Sequence, residues 1–367
     1  MADYRLRKAV VLCAGEGSRL RPLTFSKPKH LLPVMGRPLL GWALDTLAEA
    51  GVEEVAIIVG HRPEAIQRYV GDGSAWRMRT TYITQGKPLG LAHAVTCARE
   101  FIGDDDFLLY LGDNLLEDGL TALVEAFLRS GAAAALLLKG VEDPSSYGVA
   151  LVEAERAPGV FPVSAVLEKP ADPPSSLAIV GAYAFRPVIL KAIESTPPSA
   201  RGEYEITDAI QRLICDGEPV VASLVEGFWE DAGRPTELLK CNRLYLDRMC
   251  PALDGHVDER STVQGAVRVG VGTRVTNCTL IGPCLIQENC VLSNSTLGPY
   301  VTLGSGCAVS DSRLENCIVQ QDCRIAKVTG GLFNSVLGTQ VEVVGANQGA
   351  TNPLSLLLGD MSHIRAV

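Results

Sequence analysis

The sequence predicts an α/β protein in two parts. A mixed, mostly parallel sheet covered by helices is expected over residues 1–249, then a left-handed parallel β-helix of hexapeptide repeats over residues 250–346, with a tail at 347–367. Three observations carry this. Short apolar runs alternate with helical patterns up to about residue 249, and strand alternating with helix builds a sheet covered on both faces. From Pro251 the helical period stops and aliphatic residues recur every six positions at Val257, Val263, Val269 and Val275, the mark of a parallel β-helix. The ladder then shortens to steps of 17 residues, Leu280 to Leu297 to Leu314, with Asn277-Cys278, Asn294-Ser295 and Asp311-Ser312 repeating beside it. Three hexads per coil, one shortened at a corner, give a triangular prism.

In chain order the expected strands of the first part are 9–13, 54–59, 79–84, 107–111 and 134–139. Helices are expected over 38–51, 90–103 and 120–131, each closing on a glycine suited to a C-cap. A strand-rich stretch follows from Tyr147 to Phe185, then helices around 187–195 and 204–215, an apolar run at 219–231 and a last helix near 235–248. The tail from 352 reads as helical and partly apolar, suited to capping the prism's open end or meeting a second subunit, because exposed strand edges are a hazard.

The net charge of −9 and the pI near 5.2 argue against nucleic-acid or acidic-membrane binding, so an anionic substrate must be captured locally. The longest apolar run, Ala132 to Leu138, is far short of the roughly 20 residues of a membrane span. A soluble, cytoplasmic protein is expected. The eleven cysteines are odd in number and contain no Cys-x-x-Cys pair, and Cys284, Cys290, Cys307 and Cys323 each follow an aliphatic ladder position by four residues. They are read as small buried hydrophobes of the prism.

The stretch "GEGSRLRP" at 15–22 follows the first strand. A dinucleotide-binding turn needs a third glycine where Leu20 stands, and a P-loop needs Gly-Lys-Ser/Thr; both are missing. Pro22, Pro28 and Pro33 forbid a regular helix, leaving a long loop that carries Arg19, Arg21, Lys27 and Lys29. Glycine backbone amides and several cations suit a triphosphate.

"GEGSRLRPLTFSKPKHLLPV" resembles the signature loop of the sugar-1-phosphate nucleotidyltransferases, G-x-G-x-R-x-x-P-x-T followed by a lysine and L-x-P-V. The resemblance implies a Rossmann-like catalytic domain that joins a nucleoside triphosphate to a sugar 1-phosphate, releasing pyrophosphate. Arg19 and Lys29 match the cations on the nucleotide phosphates, with Lys27 the rival for Lys29. Ala14, Gly15 and Gly17 match nucleotide-binding backbone. "ITQGKPLGLAHAV" resembles the base-binding segment, with Gln85 and Gly90 on a pyrimidine edge; a glutamine amide can donate and accept at once. Asp113 of "FLLYLGDN" and Asp231 of "FWEDAGRP" match the two carboxylates that hold Mg²⁺, Asp113 also lying on the nucleotide. Gly148 of "SYGV", Glu168 and Lys169 of "VLEKP" and Tyr183 of "VGAYAF" match the sugar-phosphate pocket, Lys169 being catalytic as well. "ARGEYEITDAI" also resembles the family but reads only as a helix start, with Glu203 and Glu205 in its first turn.

Within the family the chain looks most like the longer members that transfer thymidylyl groups to glucose 1-phosphate. A UTP-dependent uridylyl enzyme is the alternative, and a non-catalytic regulatory homologue is a second; such homologues lose the loop arginine, the lysine or a metal aspartate, all kept here. Some relatives transfer acetyl groups on the prism with a histidine base, but no histidine lies from Val257 to Val343. The β-helix is expected to be structural or oligomerising, and the protein a homo-oligomer.

Overall fold

The continuous apolar runs become the strands of one nine-stranded sheet. The computed structural model describes residues 6–60, 62–345 and 352–365. The chain divides into two units, Met1–Glu16 with Leu40–Asp231 and Gly17–Leu39 with Ala232–Val367. The second unit includes the proline-rich loop and residues 232–249 as well as the run of short parallel strands.

The first unit contains β1 (Lys8–Cys13), β2 (Glu54–Val59), β3 (Arg79–Thr84), β4 (Phe107–Leu111), β5 (Asn114–Leu116), β6 (Ala134–Gly140), β7 (Gly148–Val152), β8 (Phe161–Glu168), β9 (Leu177–Phe185), β10 (Val220–Leu224) and β11 (Trp229–Asp231). Nine of these form a sheet in the order β3-β2-β1-β4-β9-β6-β10-β8-β7, with β9 and β8 running against the others. The expected mixed, mostly parallel sheet is therefore present. β1 is buried on both faces between β2 and β4, which explains its unbroken run of valine, leucine and cysteine. Helices at Leu39–Glu49, Thr121–Ser130, Val188–Ser195 and Ile206–Cys215 lie where the periodicity put them. The expected helix over 90–103 is broken at Ala98 into Leu91–Cys97 and Arg99–Ile102. Parallel register brings Cys13, Val59, Thr84 and Leu111 to one edge of the sheet. Open α/β sheets bind ligands at that carboxyl edge.

In the second unit, short parallel strands stack in three ladders. One runs Val263, Leu280, Leu297, Leu314, Leu332. A second runs Val269, Ile286, Leu303, Val319, Leu337, and a third Val257, Val275, Leu292, Val309, Ile325, Val343. This is the run of parallel strands expected of the left-handed β-helix, in the register read from the 17-residue step. The repeating Asn/Asp positions also acquire a cause. Asn277, Asn294 and Asp311 all have φ near +50°, the left-handed turn such residues tolerate, and their side chains hydrogen-bond from coil to coil.

All eleven cysteines are free thiols. Cys284, Cys290, Cys307 and Cys323 are buried in the prism, as expected of small hydrophobes, and the last three donate from Sγ to the carbonyls of Gly304, Gln320 and Gly338. Burial pushes the Cys284 thiol up to about 12, so it stays protonated.

The tail is not helical, which corrects the expectation. Leu357–Leu358 and His363–Arg365 are strands that continue two ladders by pairing with Val336–Leu337 and Glu342–Val344. The apolar run "LSLLL" is satisfied by a ladder rather than by a helix face. Among the described residues, no helix is long and apolar enough to cross a membrane.

Candidate active site

The first unit gathers most of the expected residues at the carboxyl edge of its sheet. Ala14 and Gly15 continue β1, and the next strand over delivers Asp113, since the Gly112 N–H donates to the carbonyl of Leu12 at 3.1 Å. Asp113 is only 4% exposed. Asp231, 118 residues on, ends β11, which pairs antiparallel with β5 so that Asp231 stands opposite Asn114. Asp231 thus stands opposite the residue that follows Asp113. Trp229 Nε1 donates to Asn114 Oδ1 at 2.6 Å, and Asn114 Nδ2 reaches Asp113 Oδ1 at 3.4 Å. The tryptophan, read from sequence as packing, therefore also fixes the amide beside Asp113. Its ring meets Tyr147 edge-on at 5.0 Å. Lys139 Nζ donates to the carbonyls of Val225, Glu226 and Gly227, holding the approach to β11.

Gln85 extends β3 and is buried, its N–H donating to the carbonyl of Val59. Its side-chain Nε2 donates to Gly90 O at 3.2 Å and lies 2.9 Å from His93 Nδ1. With the histidine proton on Nε2, both amide hydrogens of Gln85 are engaged, and Oε1 is left as the acceptor. Gly90 has φ +108°, and a Cβ there would stand 2.5 Å from the carbonyl of Tyr204, so the position admits only glycine.

Gly148 and Glu168 face each other across β7 and β8. Glu168 accepts from Thr207 Oγ1 at 2.8 Å and Arg201 Nη2 at 2.8 Å, and pairs with Lys169 Nζ at 3.1 Å. Burial pushes its carboxyl up, but the Lys169 charge and the hydrogen bonds from Thr207, Lys169 and Arg201 outweigh it and hold the group below the usual glutamate value. Lys169 is in the left-handed region at φ +42°, a conformation that non-glycine residues keep chiefly where the surroundings impose it. Tyr183 is buried and stacked on Phe185 at 5.6 Å. Burial, with the charge of Glu168 second, raises its pKa, so it remains a neutral phenol.

Sequence reasoning missed His93, Arg201 and Thr207 as supports. Their partners are distant in the chain or hidden by the fold, and only the family-like "ARGEYEITDAI" pointed near two of them. That segment does start a helix, but the helix is Ile206–Cys215. Glu205 is its N-cap, Glu203 precedes it, and Asp208 is the acid of its first turn. Arg201 bridges Glu168 and Glu205.

The loop with Gly17, Arg19 and Lys29 belongs to the second unit. It contains no α-helix, only single 3₁₀ turns at Ser18–Leu20, Leu23–Phe25 and Lys29–Leu31. Gly17 has φ +62° and packs so close to Lys29 that a Cβ would sit 2.9 Å from the lysine Cβ. Arg19 is exposed and Lys29 half-buried. Lys27, the rival of Lys29 in the sequence, is engaged by Gln320, Thr339 and Asp360.

An α/β sheet with Asp113 and Gln85 buried at its carboxyl edge, in a chain that continues as ladders of short parallel strands, fits a nucleotide-handling class of enzyme. The chain belongs to the nucleotidyl transferase family, whose pattern matches residues 8–248. It is 41% identical over 359 residues to a glucose-1-phosphate thymidylyltransferase of Streptomyces antibioticus, covering 97% of this chain and 99% of that one. It is 39% identical to a low-salt glycan biosynthesis nucleotidyltransferase of Haloferax volcanii, covering 98% and 99%. Among solved structures, a UDP-glucose pyrophosphorylase complexed with UDP-glucose superposes with a TM-score of 0.61 at 26% identity, over 66% of this chain and 100% of that one. The sequence reading as a sugar-1-phosphate nucleotidyltransferase is borne out by these relatives. The family generally uses a divalent metal.

Proposed function

We propose that the protein transfers a thymidylyl group from dTTP to glucose 1-phosphate, giving the nucleotide-sugar and pyrophosphate. The observation that carries this is the placement of Asp231 opposite Asn114, the residue that follows Asp113, on an edge that also presents Gln85, in a chain matched end to end by a thymidylyltransferase. A phosphate oxygen of the sugar phosphate attacks the α-phosphorus in line and pyrophosphate leaves. The nucleophile is already anionic near neutral pH, so no general base is needed.

Charge is the obstacle, since each pair of unit charges at about 4 Å repels by roughly 1 kcal/mol in water and about 4 kcal/mol at an effective dielectric near 20. Cations aimed at the phosphates are therefore the main catalytic term, with positioning next. Arg19 and Lys29 are assigned to the triphosphate, with backbone from Ala14, Gly15 and Gly17, and Lys169 to the sugar phosphate. Glu168 accepts from a sugar hydroxyl between Gly148 and a wall backed by Tyr183. Gln85 and Gly90 hold the base, Oε1 of Gln85 accepting the N3–H that thymine and uracil share.

Asp113 and Asp231 fit Mg²⁺, which takes one or two carboxylates and completes its shell with phosphate oxygens and water. Among the described residues no cluster of three acidic, histidine or cysteine side chains offers a richer donor set. When bound there, the ion supplies charge neutralisation at the phosphates. The UDP-glucose pyrophosphorylase likeness keeps UTP as the second reading.

Pyrophosphate release with glucose 1-phosphate and each of dTTP, UTP, ATP and GTP tests the proposal. Preference for dTTP is expected; preference for UTP establishes the second reading, and no release with any of them makes the chain a non-catalytic homologue.

A further inference from the structure

The proline-rich loop is held along its length by the β-helix and its last strands. Lys27 Nζ donates to Gln320 Oε1 at 2.7 Å and Thr339 Oγ1 at 3.0 Å, and pairs with Asp360 Oδ1 at 3.1 Å, which uses all three of its hydrogens. Asp360 also accepts from Ser26 Oγ at 2.6 Å and from the Thr339 N–H at 2.8 Å. The Lys27 and Asp360 side chains are 18% and 15% exposed, so the network is largely desolvated. Gln320, Thr339 and Asp360 stand at one corner of three successive coils, because Val319, Leu337 and Leu358 are ladder partners. Two further attachments flank this one. The Met35 N–H donates to Asn242 Oδ1 at 2.9 Å, and Gly359 packs against Pro22, where a Cβ would lie 3.0 Å from the carbonyl.

Between Gly17 and Leu32 the loop's own backbone offers only isolated 3₁₀ turns, too little to fix two long cationic side chains. A mostly buried, fully satisfied ion pair two residues before Lys29 supplies what those turns do not.

We propose that Lys27, Gln320, Thr339 and Asp360 form a clamp by which the last coils of the β-helix hold the loop carrying Arg19 and Lys29 in its triphosphate-binding conformation. The β-helix and the segment ending in His363–Arg365 thereby become part of the transfer machinery, and Lys27 and Asp360 are positioning residues. The inference rests on the nucleotidyl-transfer reading.

The test is steady-state pyrophosphate release by the full chain and by Lys27→Met, Asp360→Ala, the double variant and Lys27→Arg, each substrate being varied in turn, with thermal midpoints measured alongside. Each single variant should lower kcat/KM for dTTP by about 10- to 100-fold, since small misplacements of charged groups have effects of that size. KM for glucose 1-phosphate should stay within about twofold, because that subsite is built from other residues. The double variant should lose no more than the worse single, and Lys27→Arg should recover most of the activity. Unchanged kcat/KM for the triphosphate in folded variants overturns the clamp. So does a lowered thermal midpoint with kcat/KM for both substrates unchanged at a temperature where the variants stay folded, the mark of a merely structural pair. If Lys27→Met does not fold, Thr339→Val, which removes one acceptor, is read by the same criteria. A wild-type enzyme without turnover on any triphosphate overturns the reading beneath the clamp, whereas an active wild type with unaffected variants overturns the clamp alone.

Discussion

At the scale of single residues, the groups proposed for recognition have hydrogen bonds already committed within the protein. Gln85 could present its amide either way round to a base, but with the His93 proton on Nε2, Gly90 O and His93 Nδ1 take both of its hydrogens. On the proposed base-binding role, the remaining acceptor, Oε1, would favour a base with an N3–H over cytosine, whose N3 is itself an acceptor. Replacing His93 with leucine frees the amide to turn, and the ratio of kcat/KM for dTTP over dCTP should fall by about tenfold or more, comparable to other sites built around one buried polar contact. An unchanged ratio would remove His93 from base selection. Glu168 gives a second check. Its folded pKa lies below the ordinary 4.5, so the stability it contributes is present above that value and is lost as pH falls through the lower folded one. Glu168→Gln should therefore flatten the acid limb of the stability–pH curve measured by urea unfolding, and an unaltered limb would contradict the pairing with Lys169, Thr207 and Arg201. The residues proposed to react were picked out because they sit in motifs. His93, Arg201 and Thr207 were not, since a supporting residue is defined by what it touches, and chain order does not record that.

At the scale of elements, period decided most of the fold. Five strands and the prism's register follow from apolar spacing alone, and the 17-residue step reappears as the pairing of Leu280, Leu297 and Leu314. Leu297 is fully buried on that ladder. Leu297→Ala should destabilise the β-helix by about 2–5 kcal/mol in denaturant unfolding, from lost burial plus the cavity left behind. A change below about 1 kcal/mol would mean that the coil is not packed as described. The tail was misread because "LSLLL" has no period long enough to separate helix from strand, and the ladders that receive it are formed by residues some 20 positions earlier.

At the scale of the whole molecule, chain order and spatial grouping part company at one loop. The loop at 17–39 comes directly after β1, so sequence order assigns it to the sheet, yet the structure groups it with the β-helix. No local signal announces this, because the partners of Lys27 lie 293 and 312 residues away. The central proposal is narrower: Asp113 and Asp231, the latter set opposite Asn114 by β5 and β11, would hold the divalent cation that eases transfer between two polyanions. Pyrophosphate release from dTTP and glucose 1-phosphate in the presence of Mg²⁺, by wild type, Asp113→Asn and Asp231→Asn, tests it most directly. Each variant should turn over at least about 100-fold more slowly while remaining folded, in line with the loss of a principal electrostatic contributor. Near-normal turnover in either variant would contradict the account.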